Sequence, residues 1–120
     1  MDSPSNRPRL IAANNYANTL FDMQRFEEAK ALIRKTRPIS RRVLGGNDVI
    51  TLRFRCMYAS CLYKDANATL DDLREAVETL EDVERIARRV LGGAHPFVDI
   101  IEHHVRNALR AREASSPGRA

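Results

Sequence analysis

An all-α stack of antiparallel helix pairs is the fold class that this sequence predicts, and three observations point to it. Apolar residues recur at helical spacing along most of the chain. The hexapeptide Arg41-Arg42-Val43-Leu44-Gly45-Gly46 returns as Arg88-Arg89-Val90-Leu91-Gly92-Gly93, an offset of 47 (88 less 41). Tryptophan is absent and aromatics are 6%, a composition poor in strand formers. The repeat matters most, because a unit that hides its apolar side only against the next unit dictates the whole architecture. The 120 residues suit a single domain.

Taken in order, residues 1–8 lack an apolar face and are expected to be disordered, and the first helix is expected over 9–23. The second is expected over 25–44. Within it, Pro38 removes a hydrogen bond and clashes with the preceding turn at about 3 kcal/mol, which predicts a kink or break near Thr36-Arg37. Ile39, Val43 and Leu44 are expected to pack beyond it. The third helix, 48–64, carries Cys56 and Cys61. Five residues apart, they point to nearly opposite sides, out of reach of a bridge, and read as reduced core residues.

Tyr16-Ala17 with Leu20 matches Tyr58-Ala59 with Leu62 at an offset of 42 (58 less 16), so the five-residue difference falls in the loop around Asp65-Ala66-Asn67-Ala68. The fourth helix, 69–91, shows the clearest stripe: Leu73, Ala76, Val77, Leu80, Val83, Ala87 and Val90. Thr69 caps its start, Asp71 and Asp72 oppose the helix dipole, Arg88 and Arg89 suit its last turn, and Gly92 supplies a C-cap that needs a left-handed residue. The fifth helix, 96–113, ends a partial unit, and 115–120 is expected to be disordered. The helical repeat domain thus spans 9–114, with repeats at 9–46, 47–93 and 94–114.

Charge and composition narrow the function. Net charge is +4, yet sixteen acidic residues are interspersed with twenty basic ones. Arginines spread through helices without interleaved aromatics disfavour a nucleic-acid platform; the arginine-rich end with Arg106, Arg110, Arg112 and Arg119 is the place where such binding would occur. No apolar run reaches eighteen residues and no signal-peptide core opens the chain, which excludes membrane partners and makes a cytoplasmic location the default expectation. His103 and His104 point about 100° apart and lack a ligand at helical spacing, so no metal is expected. Cys56 and Cys61 have no paired histidine, and neither a Gly-x-Ser-x-Gly elbow nor a phosphate loop is present. No enzyme and no cofactor are expected.

Three stretches carry a family resemblance. Asn14-Asn15-Tyr16-Ala17 with Leu20 resembles the Asn-Leu-Ala core of a first helix, and Phe26-Glu27-Glu28-Ala29 resembles a Tyr-x-Glu-Ala opening of a second. Val90-Leu91-Gly92-Gly93-Ala94-His95-Pro96, with Val43-Leu44-Gly45-Gly46, resembles a closing Leu-Gly-x-x-His-Pro. Together they resemble the long tetratricopeptide repeat of the kinesin light chain type. Three positions depart from it: Asp48-Val49 stands for His-Pro, Gln24 for the turn glycine, and Arg106 for the small residue held by Ala17 and Ala59.

The resemblance implies a right-handed superhelical stack, an α-solenoid of about two and a half repeats and five helices, acting as a non-catalytic module that binds a peptide or protein in its concave groove. Its groove positions correspond to Asn14, Asn18, Arg53, Ser60, Lys64, His103 and Asn107. Asparagine amides suit an extended peptide backbone and Arg53 and Lys64 suit a carboxylate, with Phe21 and Tyr63 as the aromatics placed to line the groove. The alternative is structural: Phe97, Ile101, Val105 and Leu109 form one stripe through which the C-terminal helix would pair with another copy or a longer array.

Overall fold

The computed structural model describes residues 6–115. Over them the chain forms α1 (Asn6–Asp22), α2 (Phe26–Leu44), α3 (Val49–Lys64), α4 (Leu70–Leu91) and α5 (Pro96–Ala114), with no strand among the described residues. Each helix packs on the next, and the first helices of the units, α1, α3 and α5, also lie side by side. α2 and α4 do not pack directly on each other along their backbones. The result is the tetratricopeptide-like stack of helix pairs that the repeat implies, with residues 1–5 and 116–120 outside the described residues.

α1 starts three residues earlier than expected, so residues 6–8 are helical. Pro8 falls in the first turn, where no backbone N–H is needed. Arg7 Nη1 reaches Asp48 Oδ2 at 3.0 Å and ties that turn to the start of α3. α1 ends in a paired C-cap: Gln24 N–H donates to the Phe21 carbonyl at 2.9 Å and Arg25 N–H to the Leu20 carbonyl at 2.8 Å. Gln24 holds φ +61° there, so the position needs a left-handed backbone although it lacks a glycine. Gly45 and Gly92 close α2 and α4 with φ +95° and +89° and extended ψ, a region open essentially to glycine alone.

Pro38 does not break α2, which runs unbroken from Phe26 to Leu44. Pro38 and Arg34, whose carbonyl loses its donor, both lie on the exposed side, where water supplies the missing bond. Of the residues expected to pack beyond Pro38, Leu44 does so, half-buried against the core of α1, α2 and α3, Val43 is half-buried, and Ile39 is exposed; the fully buried residue there is Ser40. Its hydroxyl shares a 2.6 Å hydrogen bond with Thr51 on α3. Ser40→Ala is expected to strand Thr51 and lower stability by about 1–3 kcal/mol, and adding Thr51→Val is expected to restore most of it; urea unfolding of the parent, single and double variants checks this.

The remaining caps follow local chemistry. Asp48 Oδ1 accepts from Ile50 N–H at 2.9 Å, and His95 Nδ1 accepts from Phe97 N–H at 3.1 Å with Pro96 opening α5. Asp48 therefore does the work of the histidine it replaces. At α4, Thr69 and Asp72 cap each other's backbone amides at 3.1 and 3.0 Å.

The core has two main parts. Leu10, Ala17, Ile33, Ile50 and Phe54 join α1, α2 and α3. A larger cluster, including Leu52, Leu73, Leu80, Val83, Phe97, Ile101 and Val105, joins α3, α4 and α5. Cys56 and Cys61 are buried free thiols. Val90, the last residue of the α4 stripe, is 45% exposed, and Tyr16 on α1 is 57% exposed. Tyr58, at the matching place in α3, meets Arg34 of α2 at 5.5 Å, whereas among the described residues no helix lies over Tyr16.

Where α3 buries Ile50, Phe54 and Cys61, α1 carries exposed Pro8, Ala12 and Thr19 at the offset of 42. α5 shows solvent Asp99, His103, Arg106 and Arg110. The stripe expected to pair with another copy is used within the chain: Phe97, Ile101 and Val105 are buried against α3 and α4, and Leu109 is half-buried.

Candidate functional site

A pocket of about 210 Å³ is walled by the three first helices, α1, α3 and α5. α1 contributes Asn14, Asn18, Phe21 and Asp22 at helical spacing; α3 contributes Arg53, Cys56, Met57 and Ser60; α5 contributes Phe97, Ile100 and His104. Four of the seven anticipated residues, Asn14, Asn18, Arg53 and Ser60, thus meet in one place. Lys64 does not. It sits 6.0 Å over the Phe21 ring and lines a neighbouring depression of about 450 Å³ at the end of the groove. His103 and Asn107 lie outside the pocket and share a 3.0 Å hydrogen bond with each other, and Asn107 also accepts from Arg110.

The polar groups differ in what they can still do. Asn14 is only 8% exposed, and its Oδ1 is buried with no partner. Leaving such an acceptor unpaired costs about 1–3 kcal/mol, which a donor entering the pocket would recover. Arg53 lays its guanidinium on the Phe97 ring at 4.6 Å and makes no ion pair among the described residues, so its edge is free to meet a carboxylate. Ser60 is committed, since its hydroxyl donates to the Cys56 carbonyl at 2.8 Å. It shapes the floor without offering a donor.

Aromatic and imidazole groups close the far end. Phe21 and His104 stand edge to face at 6.2 Å, linking α1 to α5, and His104 Nδ1 shares a 2.7 Å hydrogen bond with Tyr63 Oη. Burial holds the His104 pKa down to about 4, helped by His103 and Lys64, so the ring is neutral at physiological pH. Burial likewise pushes Tyr63 and Cys56 up to about 12. None of these is poised for acid–base or nucleophilic work near neutrality.

Spacing alone could have found Asp22, one turn beyond Asn18. His104 was missed because its neighbour His103 was chosen, and one residue turns a helix by about 100°. Among the described residues no cluster of metal-ligating side chains forms, and no helix is long and apolar enough to cross a membrane.

The family model of the tetratricopeptide repeat matches residues 9–49, which run from α1 through α2 to the first residue of α3. This segment is similar to a tetratricopeptide repeat. No curated protein and no solved structure matches the chain. The matched tetratricopeptide unit holds Asn14, Asn18, Phe21 and Asp22, one wall of the pocket. The helix pair α3–α4 repeats its layout, down to the closing Val-Leu-Gly-Gly. Tetratricopeptide repeats serve protein–protein contact, which fits a concave pocket lined by amides, one arginine and aromatic edges.

Proposed function

We propose that this chain is a non-catalytic binding module of the kinesin light chain type that holds an extended peptide segment of a partner protein across α1, α3 and α5. The single observation that carries the reading is the buried, unpartnered Oδ1 of Asn14, a residue that lines the pocket together with Asn18 and Arg53. A peptide backbone supplies the N–H that this oxygen lacks, and Asn18 beside it offers both a donor and an acceptor. Arg53, held in place by Phe97, receives a carboxylate of the peptide, while Phe21 and Ile100 flank the apolar part of the pocket. With two and a half repeats the contact is smaller than a standard interface of roughly 1,600 Å², so affinity is modest.

A displayed library of extended peptides, selected against the intact chain, tests this. Asn14→Ala is expected to weaken the selected peptide roughly tenfold while leaving the melting temperature unchanged or raised, because the orphaned acceptor goes with it. Equal affinity of parent and variant would place the site elsewhere.

A further inference from the structure

The two units carry opposite charge patterns at one and the same place. In the second, Arg88 is neutralised from both sides: Glu84 Oε2 lies 3.0 Å from its Nε, and Glu102 Oε1 lies 3.1 Å from its Nη2. Shifted by the repeat offset of 47, Glu84, Arg88 and Glu102 become Arg37, Arg41 and Arg55. A self-paired triad in one unit is thus three arginines in the other.

Those three line a cleft of about 370 Å³ on the side of the stack away from the peptide groove, with α2 and α4 as separated walls and α3 as floor. Arg55 Nη2 reaches Asp82 Oδ2 at 2.9 Å, and Asp82 is also held by Arg85. Among the described residues, neither the Arg37 nor the Arg41 guanidinium has a partner. The pair sits at i and i+4 on one helix, a spacing at which like charges repel. Gly46 and Asn47 line the same cleft, and their amides donate to no group of the protein.

We propose that Arg37, Arg41 and Arg55 form a binding site for a phosphate group, either free or carried as a monoester. Charge and donor count both favour phosphate over carboxylate. Arg55 is paired with Asp82 while Arg37 and Arg41 are unpaired among the described residues, an excess of positive charge that suits the charge of about −1.5 to −2 on a phosphate monoester near pH 7. Three guanidiniums together with the Gly46 and Asn47 amides present more donors than two carboxylate oxygens accept, whereas three terminal phosphate oxygens accept them. The ligand is either a phosphorylated side chain or a free phosphate; the chemistry is shared.

Calorimetric titration of the full chain with inorganic phosphate, O-phospho-L-serine and, for comparison, glutamate tests the site. Saturable binding of either phosphate probe, with glutamate much weaker, is the expected result. Tighter binding of O-phospho-L-serine assigns the site to a phosphorylated side chain, and equal binding assigns it to free phosphate. Arg37→Glu restores the acid that the second unit has at this position, so Arg41 is expected to pair internally and phosphate affinity to fall roughly tenfold or more. Arg41→Gln is the second variant should Arg37→Glu disturb folding, and Asn14→Ala, in the other groove, is expected to leave phosphate binding unchanged. No saturable phosphate binding by the parent, equal affinity for glutamate, or unchanged binding in the folded arginine variants would overturn the assignment.

Discussion

Phe54→Ala is expected to destabilise the chain by about 3–5 kcal/mol, enough to unfold much of it at 37 °C given the roughly 5–15 kcal/mol that holds a typical domain together. Phe54 is fully buried and packs with Leu10, Ala17, Ile33 and Ile50, where α1 and α2 of the first unit meet α3 of the second. In a stack, each unit leans only on its neighbour, so a cavity at this joint weakens both the first unit and its attachment to the second. Urea unfolding followed by helical circular dichroism is the measurement. A loss below about 1 kcal/mol would mean that the joint is held by something other than this cluster.

Ile101→Asp is expected to detach α5. Ile101 is fully buried among Leu80, Val83, Phe97 and Val105, and a carboxylate placed there has no cation to meet, so several kcal/mol of desolvation oppose its burial. The cheapest escape is for α5 to leave, because it is the last of the described helices and packs mainly on α3 and α4. Amide exchange over 96–114 is expected to speed up while α1 and α2 stay protected. Peptide affinity is expected to vanish as well, since Phe97, Ile100 and His104 form one wall of the pocket. Arg106→Asp, one turn away on the exposed side, is the control and is expected to change stability by no more than about 0.5 kcal/mol. Equal exchange rates in both variants would show that α5 is not held by its apolar stripe.

The expectations that failed share a cause. Periodicity puts Val90 and Ile39 inside, yet a helical stripe only says which residues share a side, and whether a neighbour covers that side depends on the stack. Tyr16 shows this most simply: its counterpart Tyr58 is covered by α2, and nothing described covers α1 at the same point. Pro38 was given its full cost because the sequence does not say that its lost hydrogen bond faces water. Gln24 holds a left-handed backbone because the α1–α2 turn requires it, against the residue's own preference.

The site divides in the same way. That Asn14, Asn18, Arg53 and Ser60 lie on first helices followed from the repeat, but only three helices lying side by side bring them to one pocket and leave Lys64, His103 and Asn107 out of it. The reversal from Glu84 and Glu102 to Arg37 and Arg55 is written in the aligned units, yet its meaning depends on α3 bringing Arg55 up between α2 and α4.

Local rules therefore determined the helices themselves: their number, their caps at Asp48, Thr69 and His95, their stops at Gly45 and Gly92, and the pairing of units, because each rests on contacts within a few residues or on a direct duplication. Which sides those helices bury, which acceptor is left unpaired at Asn14, and which arginines stand together were decided by the tertiary packing alone. Burial and charge neutralisation are properties of what lies across the gap, and what lies across the gap comes from residues distant in the chain.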